Sequence, residues 1–228
     1  MKKTVLITGA GGNLGSAVVD RFLAGGYRLI GTVSPGKLPK STREDVSYLE
    51  VNLTDEKEVG NAVEEIVSRW PVVDAAVLLV GGFEAGAVDK ADGSTLRRMI
   101  ALNFETAYFM IRPMLRHLLN QPDGGRIILI GSRPSLEPKA GKDVAAYALS
   151  KSLLFTLSDL VNATASGTNV ASAVVVPATI DTPANRKAMP SADFKKWVSA
   201  EAIADVIFFA SSTSSPLREA VLKVYGQG

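Results

Sequence analysis

The chain has 228 residues, enough for one α/β domain with a sizeable hydrophobic core but short for two independent folded units. Hydrophobic residues make up 46% and charged residues 21%, a globular composition that argues against disorder. The 25 Lys and Arg residues exceed the 23 Asp and Glu residues by only two, so neither a nucleic acid nor a membrane is an expected partner. We expect one domain over residues 1–228.

The chain has no cysteine, which excludes disulfides, a thiolate nucleophile and Cys-based zinc sites and fits a reducing compartment. His117 is the only histidine, which excludes a histidine cluster, and we predict no metal site. The apolar run after Lys2 and Lys3 is broken by glycines before it reaches the ~7–15 residues of a signal sequence. No run approaches the ~18 apolar residues of a membrane span. The expected location is the cytoplasm.

Short apolar runs rich in β-branched residues alternate along the chain with stretches of helical spacing, such as Leu14, Val18 and Phe22. Runs that are continuously apolar are typical of strands covered on both faces, as in a parallel sheet. The fold class is therefore predicted as α/β, a doubly wound parallel sheet with helices on both faces. The predicted strands are Thr4–Thr8, Leu29–Val33, Val46–Val51, Asp74–Val80, Arg126–Ile130, Val170–Val176 and Ala220–Val224.

Two longer helices are expected over residues 96–119 and 145–166. Pro113 lies inside the first and is expected to kink it, because proline lacks an N–H and crowds the preceding turn. Residues 136–144 and 177–197 lack a clean period and are predicted to be loops. The second is long enough to include a substrate lid, which we place at about residues 183–198.

A glycine-rich turn follows the first strand in the segment Thr8–Gly15, and a helix is expected after it. Gly9, Gly12 and Gly15 have the spacing of a phosphate-binding turn, in which the backbone approaches a pyrophosphate at a helix N-terminus. A plain structural turn is the alternative, since any tight connection can use glycine. The position after the first strand of a βαβ unit favours nucleotide binding.

The second predicted strand ends in Val33–Ser34 and lacks the carboxylate that in many dinucleotide-binding folds holds the adenosine ribose. Without that carboxylate a 2′-phosphate is not repelled, and Ser34 and Lys37 lie close enough in sequence to meet it. This favours NADP(H) over NAD(H). The alternative is that Lys37 is a solvated loop charge.

A proton-transfer group is predicted from Ser132, which follows a strand, and from Tyr147 and Lys151, which share a helix face at i and i+4. We expect the ammonium to lower the pKa of the phenol toward neutrality, so that Tyr147 can exchange a proton with the substrate as hydride moves. Ser132 would hydrogen-bond the substrate oxygen. The alternative places Tyr147 and Lys151 on an exposed helix face with no chemical role.

These motifs resemble the short-chain dehydrogenase/reductase family over essentially the whole chain. The resemblance implies a Rossmann-type fold, a catalytic group of Ser132, Tyr147 and Lys151, and support of a proton path by Asn103. It also implies a homodimer or homotetramer that packs through the two long helices. The glycine turn and the resemblance together predict a set of cofactor-binding residues. They are Gly9, Gly12, Asn13, Leu14, Gly15, Ser34, Asn52, Leu53, Gly81, Tyr147, Lys151, Pro177, Ile180 and Thr182.

Some positions depart from the family pattern. Asn13 stands where many members have glycine, Ala178 replaces a common glycine, and the turn at 79–82 reads Leu-Val-Gly-Gly. Asn52 occupies the place where the family usually has an aspartate near the adenine of the cofactor. The segment Asp181–Trp197 resembles the corresponding loop of the dihydropteridine reductases, as does the turn that ends in Phe83. Those enzymes generally lack the serine and carry an acidic residue at the position of Val33.

The predicted function is that of an NAD(P)-dependent oxidoreductase. It would transfer hydride between a nicotinamide and a small carbonyl, alcohol or pteridine-like substrate, with Tyr147 as general acid or base. The alternative is a non-catalytic sensor or scaffold that binds NAD(P) with the same fold.

Overall fold

The computed structural model describes residues 2–39 and 43–226. Within them, seven strands form one parallel sheet in the order β3-β2-β1-β4-β5-β6-β9. These strands are β1 Thr4–Thr8, β2 Arg28–Val33, β3 Val46–Glu50, β4 Ala75–Leu78, β5 Gly125–Ile130, β6 Val170–Pro177 and β9 Ala220–Val224. Two short strands, β7 Ile180–Asp181 and β8 Val198–Ser199, pair separately in parallel. The predicted α/β class and all seven predicted strands are confirmed, with ends shifted by at most two residues.

Helices connect the strands and cover both faces of the sheet. They are α1 Asn13–Ala24, α2 Glu56–Arg69, α3 Gly93–Ile100, α4 Thr106–Leu119, α5 Pro138–Gly141, α6 Ala145–Thr164, α7 Pro183–Ala188 and α8 Ala200–Ala210. A π-helical turn, Ala101–Glu105, joins α3 to α4. Short 3-10 turns occupy Arg133–Ser135 and Phe194–Lys196.

The hydrophobic core lies in two layers, one on each face of the sheet. Alternate strand residues divide between them, so that in β1 Leu6 faces α2, α4 and α6 while Val5 and Ile7 face α1 and α8. All three are fully buried. This two-sided burial explains why the strands are continuously apolar rather than alternating.

The predicted helix over residues 96–119 is interrupted in the structure. It begins earlier, at Gly93, and contains the π-helical turn Ala101–Glu105. Helix α4 continues through Pro113, so the irregular turn lies upstream of the proline. A π-helical turn holds an extra residue, which re-aims the side chains around it, and such turns are frequent at functional sites.

The two predicted loops contain short regular elements. Residues 136–144 include α5, and residues 177–197 include β7, α7 and a 3-10 turn. Helix α7 begins because the Thr182 hydroxyl accepts a hydrogen bond of 3.1 Å from the Asn185 N–H. The loop prediction was wrong there, since capping and strand pairing supply order that apolar periodicity does not reveal.

Strand order reverses at β1, which lies between β2 and β4. In a doubly wound sheet, ligands bind in the crevice at the carboxyl ends of the strands beside such a reversal. The glycine turn follows β1, and Gly81 follows β4. None of the helices in residues 2–39 and 43–226 is long and apolar enough to cross a membrane.

Candidate active site

The glycine turn needs glycine for two separate reasons. Gly9 has a φ of 67°, which L side chains rarely adopt. A β-carbon at Gly15 would lie 2.1 Å from the carbonyl oxygen of Gly9, so α1 could not pack so close to the turn. The Gly12 N–H donates to that same carbonyl at 3.0 Å. The turn is therefore both tight and bare of side chains.

The N-terminus of α1 is open to an anion. Gly12 precedes the helix and has no side chain to cap it, and the first turn carries no acidic residue. The N–H groups of the first turn, Asn13, Leu14 and Gly15, form the positive end of the helix. Leu14 packs against the core and offers only its backbone. This arrangement fits the pyrophosphate of a dinucleotide.

The loop after β2 lies beside the glycine turn. A β-carbon at Gly11 would be 3.5 Å from the Val33 side chain and 4.0 Å from the Lys37 carbonyl oxygen. The Lys37 N–H donates to the Ser34 carbonyl at 3.0 Å, and both residues are exposed. The backbone of Lys37 thus lies beside the glycine turn, and the hydrogen bond to Ser34 closes the loop after β2.

Asn52 follows β3, and its side-chain oxygen is already engaged. That oxygen accepts hydrogen bonds from the Thr54 N–H at 3.2 Å and the Thr54 hydroxyl at 2.7 Å. Leu53 is buried in the core, so its contribution to a ligand is limited to its backbone. The Asn52 NH₂ has no hydrogen-bond acceptor among the residues that the structure describes, and it is a donor where a family aspartate would be an acceptor.

Gly81, after β4, lies against the centre of the site. A β-carbon there would be 2.5 Å from Oδ1 of Asn103 and 3.0 Å from Nζ of Lys151. The preceding residue, Val80, would be 3.0 Å from a β-carbon at Gly9. Gly81 therefore links the glycine turn to the lysine of the proton-transfer group.

Ser132 follows β5 and is 4% exposed. Its hydroxyl and that of Ser135 are 3.2 Å apart, and the Ser135 hydroxyl also donates to the Ser132 carbonyl at 2.5 Å. This reciprocal pairing across the 3-10 turn orients Ser132. Ser135 was missed in the sequence, although a serine three residues after another is a capping pattern.

Tyr147 lies in the first turn of α6 and is half-buried. Burial raises the pKa of its phenol above the ordinary value, and the Ser132 side chain acts in the opposite direction. The expected lowering by Lys151 is therefore wrong for this structure. The reason is that burial disfavours the charged form of the phenol and outweighs the lowering by the Ser132 side chain.

Lys151 is one helical turn beyond Tyr147 and is 5% exposed. Its ammonium donates to the Ile130 carbonyl at 2.8 Å, and burial lowers its pKa to about 8. The alternative of an exposed helix face is thus excluded for Lys151. Both Tyr147 and Lys151 lie at the carboxyl edge of the sheet, close to Ser132 and Gly81.

Asn103, in the π-helical turn, joins the loop after β4 to α6. Its Oδ1 accepts from the Gly82 N–H at 2.9 Å, and its Nδ2 donates to the Gly82 carbonyl at 3.1 Å and to Ser150 Oγ at 3.0 Å. The Ser150 hydroxyl in turn donates to the Tyr147 carbonyl at 2.8 Å. Ser150 was missed in the sequence, where nothing distinguishes it from the other serines.

Pro177, Ile180 and Thr182 lie where β6 leaves the sheet. Pro177 is the buried last residue of β6, and Ile180 pairs with Val198. Asn185, which sequence reasoning missed, donates from its backbone to Thr182 and from its side chain to the Ile180 carbonyl at 2.8 Å. Asn185 therefore holds both Ile180 and Thr182, which are predicted cofactor-binding residues.

Comparison with known proteins agrees with this geometry. A model of the short chain dehydrogenase family matches residues 3–193, and the chain therefore belongs to the short-chain dehydrogenase/reductase family. This places it among the NAD(P)-dependent oxidoreductases, with a nicotinamide cofactor.

Individual relatives are distant. The dihydropteridine reductase of Dictyostelium discoideum is 28% identical, covering 94% of this chain and 90% of the relative. The cyclic-di-GMP-binding biofilm dispersal mediator protein of Escherichia coli strain K12 is 29% identical, covering 84% and 78%. The structure of ElxO with NADP bound has a TM-score of 0.90 at 22% identity, covering 98% and 97% of the two chains, and shows the shared fold.

Proposed function

We propose that this protein is an NADP(H)-dependent reductase of a small carbonyl or pteridine-like substrate, with Tyr147 as the proton donor. The observation that carries this proposal is the convergence of Ser132, Tyr147 and buried Lys151 at the sheet edge that also holds the glycine turn. A structural role alone does not explain why a lysine with no carboxylate partner among residues 2–39 and 43–226 is buried there.

Each residue has a distinct role in this proposal. The nicotinamide, when bound, supplies the hydride. The ordinary pKa of a tyrosine is about 10 and burial raises that of Tyr147 further, so the side chain is a neutral phenol at pH 7 with a proton to give to the substrate oxygen or nitrogen. Ser132, oriented by Ser135, hydrogen-bonds the same substrate atom. Lys151 places a positive charge behind them, where it favours negative charge developing on the phenol oxygen.

NADP(H) is the proposed form of the cofactor. Val33 ends β2 without a carboxylate, and Ser34 and Lys37 lie beside the glycine turn, where a hydroxyl and an ammonium can meet a 2′-phosphate.

A pteridine-like substrate is supported by the full-length similarity to the Dictyostelium dihydropteridine reductase and by the segment Asp181–Trp197. In that segment, which we propose as a lid, the Arg186 guanidinium forms two hydrogen bonds to Asp181, at 2.6 and 2.7 Å, and lies over the Phe194 ring at 4.8 Å. Phe194 in turn packs against Trp197. The lid is thus a compact aromatic cluster.

The test of the catalytic role is Tyr147→Phe. We expect NADPH to bind within about threefold of the parent affinity, while reduction of quinonoid dihydropterin or a carbonyl panel falls at least a hundredfold. Parent-like turnover by this variant would contradict the assignment. Cofactor binding by the parent without turnover on any substrate would favour the sensor alternative.

The test of the cofactor form is titration with NADPH and NADH in parallel. Lys37→Gln is expected to weaken NADPH binding about tenfold and to leave NADH binding unchanged, because only NADPH carries the 2′-phosphate. Lys90→Gln, at an exposed lysine elsewhere, is the matched control. A preference of the parent for NADH would refute this part of the proposal.

We also propose a homodimer or homotetramer. Helices α4 and α6 expose large apolar side chains, of which Leu149 is 56% and Leu160 60% exposed, with Tyr108 at 43%. Leu160→Asp is expected to shift the particle toward the 24.1 kDa monomer in gel filtration with light scattering. A parent protein that is monomeric at micromolar concentration would refute the proposal. Cytoplasmic location stays a prediction from composition.

A further inference from the structure

Phe83 is an exposed aromatic residue at the candidate active site. Its ring lies 5.1 Å from the Tyr147 ring, centroid to centroid, in an edge-to-face arrangement of 68°. The side chain nevertheless remains 66% exposed. Most of the Phe83 side chain is therefore open to a ligand that enters the candidate site beside Tyr147.

The backbone on both sides of Phe83 is held in place. On one side, Asn103 binds both the N–H and the carbonyl of Gly82. On the other side, the Glu84 carboxylate accepts from Arg98 Nε at 3.1 Å and from the Thr95 hydroxyl at 3.1 Å.

The segment is also tied to the start of α6. The Gly86 N–H donates to the Asp143 carbonyl at 2.7 Å, and the Ala145 N–H donates to the Gly86 carbonyl at 2.7 Å. Ala145 is the first residue of α6, and Tyr147 follows two residues later. The exposed ring of Phe83 and the phenol of Tyr147 are therefore fixed relative to each other before any substrate arrives, which lowers the cost of ordering them on binding.

We propose that Phe83 is a substrate-contact residue that selects flat, conjugated ring substrates. This rests on the proposed function, since the ring that lies against Phe83 carries the oxygen or nitrogen that Tyr147 protonates. Aromatic pairs gain from stacked or edge-to-face contact beyond the area they bury, whereas an aliphatic substrate gains only from burial. Phe83 therefore discriminates by shape and π surface, and Tyr147 supplies the chemistry.

The first test compares Phe83→Leu with the parent on two substrates, 1,4-naphthoquinone as a flat ring and 2,3-butanedione as an aliphatic carbonyl. Leucine keeps an apolar side chain and removes the π face. We expect kcat/KM for naphthoquinone to fall at least tenfold, mainly through KM, and kcat/KM for butanedione to change less than twofold. Equal losses on both substrates, or no loss on either, would overturn the proposal. Val88→Ala, at a neighbouring residue that is 82% exposed, is the control and is expected to match the parent.

The second test does not require turnover. Binding of pterin, a flat heterocycle that is fluorescent, is titrated to the NADP⁺-loaded protein and its Phe83→Leu and Val88→Ala variants. We expect the dissociation constant to rise at least fivefold in Phe83→Leu alone, with NADP⁺ binding and the thermal midpoint unchanged. Failure of the parent to bind millimolar pterin, or equal binding by all three proteins, would overturn the proposal. A parent that binds pterin through Phe83 yet reduces nothing would refute the proposed reductase function only.

Discussion

The ammonium of Lys151 donates a hydrogen bond of 2.8 Å to the backbone carbonyl of Ile130, the last residue of β5. The contact joins the helix that carries Tyr147 to the strand that precedes Ser132. A peptide dipole stabilises a buried cation less than a carboxylate does, so burial dominates and lowers the pKa of Lys151 to about 8. Part of the lysine population is therefore neutral in mildly alkaline solution.

This pKa predicts an alkaline loss of activity. Lys151 is an ammonium below pH 8 and loses its proton as the pH rises through 8, so its positive charge disappears from behind Tyr147. We expect kcat/KM for substrate reduction, measured from pH 6 to 10, to be level up to pH 7 and to fall about tenfold per unit above 8, since kcat/KM reports ionisations of the free enzyme. A profile that stays level to pH 10 would show that the charge of Lys151 is not needed.

The position of Gly81 leaves no room for a β-carbon beside Asn103 and Lys151, so activity is expected to require glycine there. In Gly81→Ala the new methyl group would lie 2.5 Å from Asn103 Oδ1 and 3.0 Å from Lys151 Nζ, so one of these side chains must move. We expect at least a tenfold fall in kcat with the protein still folded. The control is Gly60→Ala, inside α2, where a β-carbon meets nothing within 4 Å; it is expected to keep full activity and to raise stability by about 0.5–1 kcal/mol. Equal activity of the two variants contradicts the requirement.

Replacement of Asn52 by aspartate is expected to increase the affinity for the cofactor. Both donors of Thr54 occupy the Asn52 oxygen, so Asn52→Asp would add a second oxygen free to accept from the adenine 6-amino group at the position where the family places an aspartate. We expect the dissociation constant for NADPH to fall about fivefold, as one hydrogen bond to a charged group permits. The hypoxanthine analogue of NADPH, which lacks that amino group, should show no gain. An equal gain with the analogue would locate the effect elsewhere.

Replacement of Arg126, which lies outside the candidate active site, is expected to cause a large loss of stability. It is 2% exposed, and its guanidinium donates to the carbonyls of Asn169 at 2.7 Å, Thr213 at 2.9 Å and Ser215 at 3.1 Å. Arg126→Met would leave the Thr213 and Ser215 carbonyls without this donor, and we expect the free energy of unfolding, measured in urea, to fall by about 2–4 kcal/mol. Arg112→Met, at an exposed arginine paired with Glu56, is expected to change stability by less than 1 kcal/mol. A similar small change for both would show that the carbonyls find other partners.

Much of the fold was predictable because strands buried on both faces of a parallel sheet are continuously apolar in the sequence. The runs around Leu6 and Ile128 are apolar without interruption, and the glycines at 9, 12 and 15 mark a turn whose conformation and packing exclude other residues. The i, i+4 spacing of Tyr147 and Lys151 likewise follows from helix geometry alone. Residue types at short spacing thus predicted the sheet and the glycine turn and identified the candidate proton-transfer group.

Tertiary structure decided what those residues experience. The sequence suggested that Lys151 lowers the pKa of Tyr147, but burial raises that pKa, and the Lys151 ammonium donates to the carbonyl of Ile130, 21 residues away. Asn103 forms its two hydrogen bonds to Gly82 from a π-helical turn, and the spacing of apolar residues in the sequence does not predict that turn. Electrostatic environment and long-range hydrogen bonding arise only when separate segments pack together, so they are set by the assembled fold and not by the order of neighbouring residues.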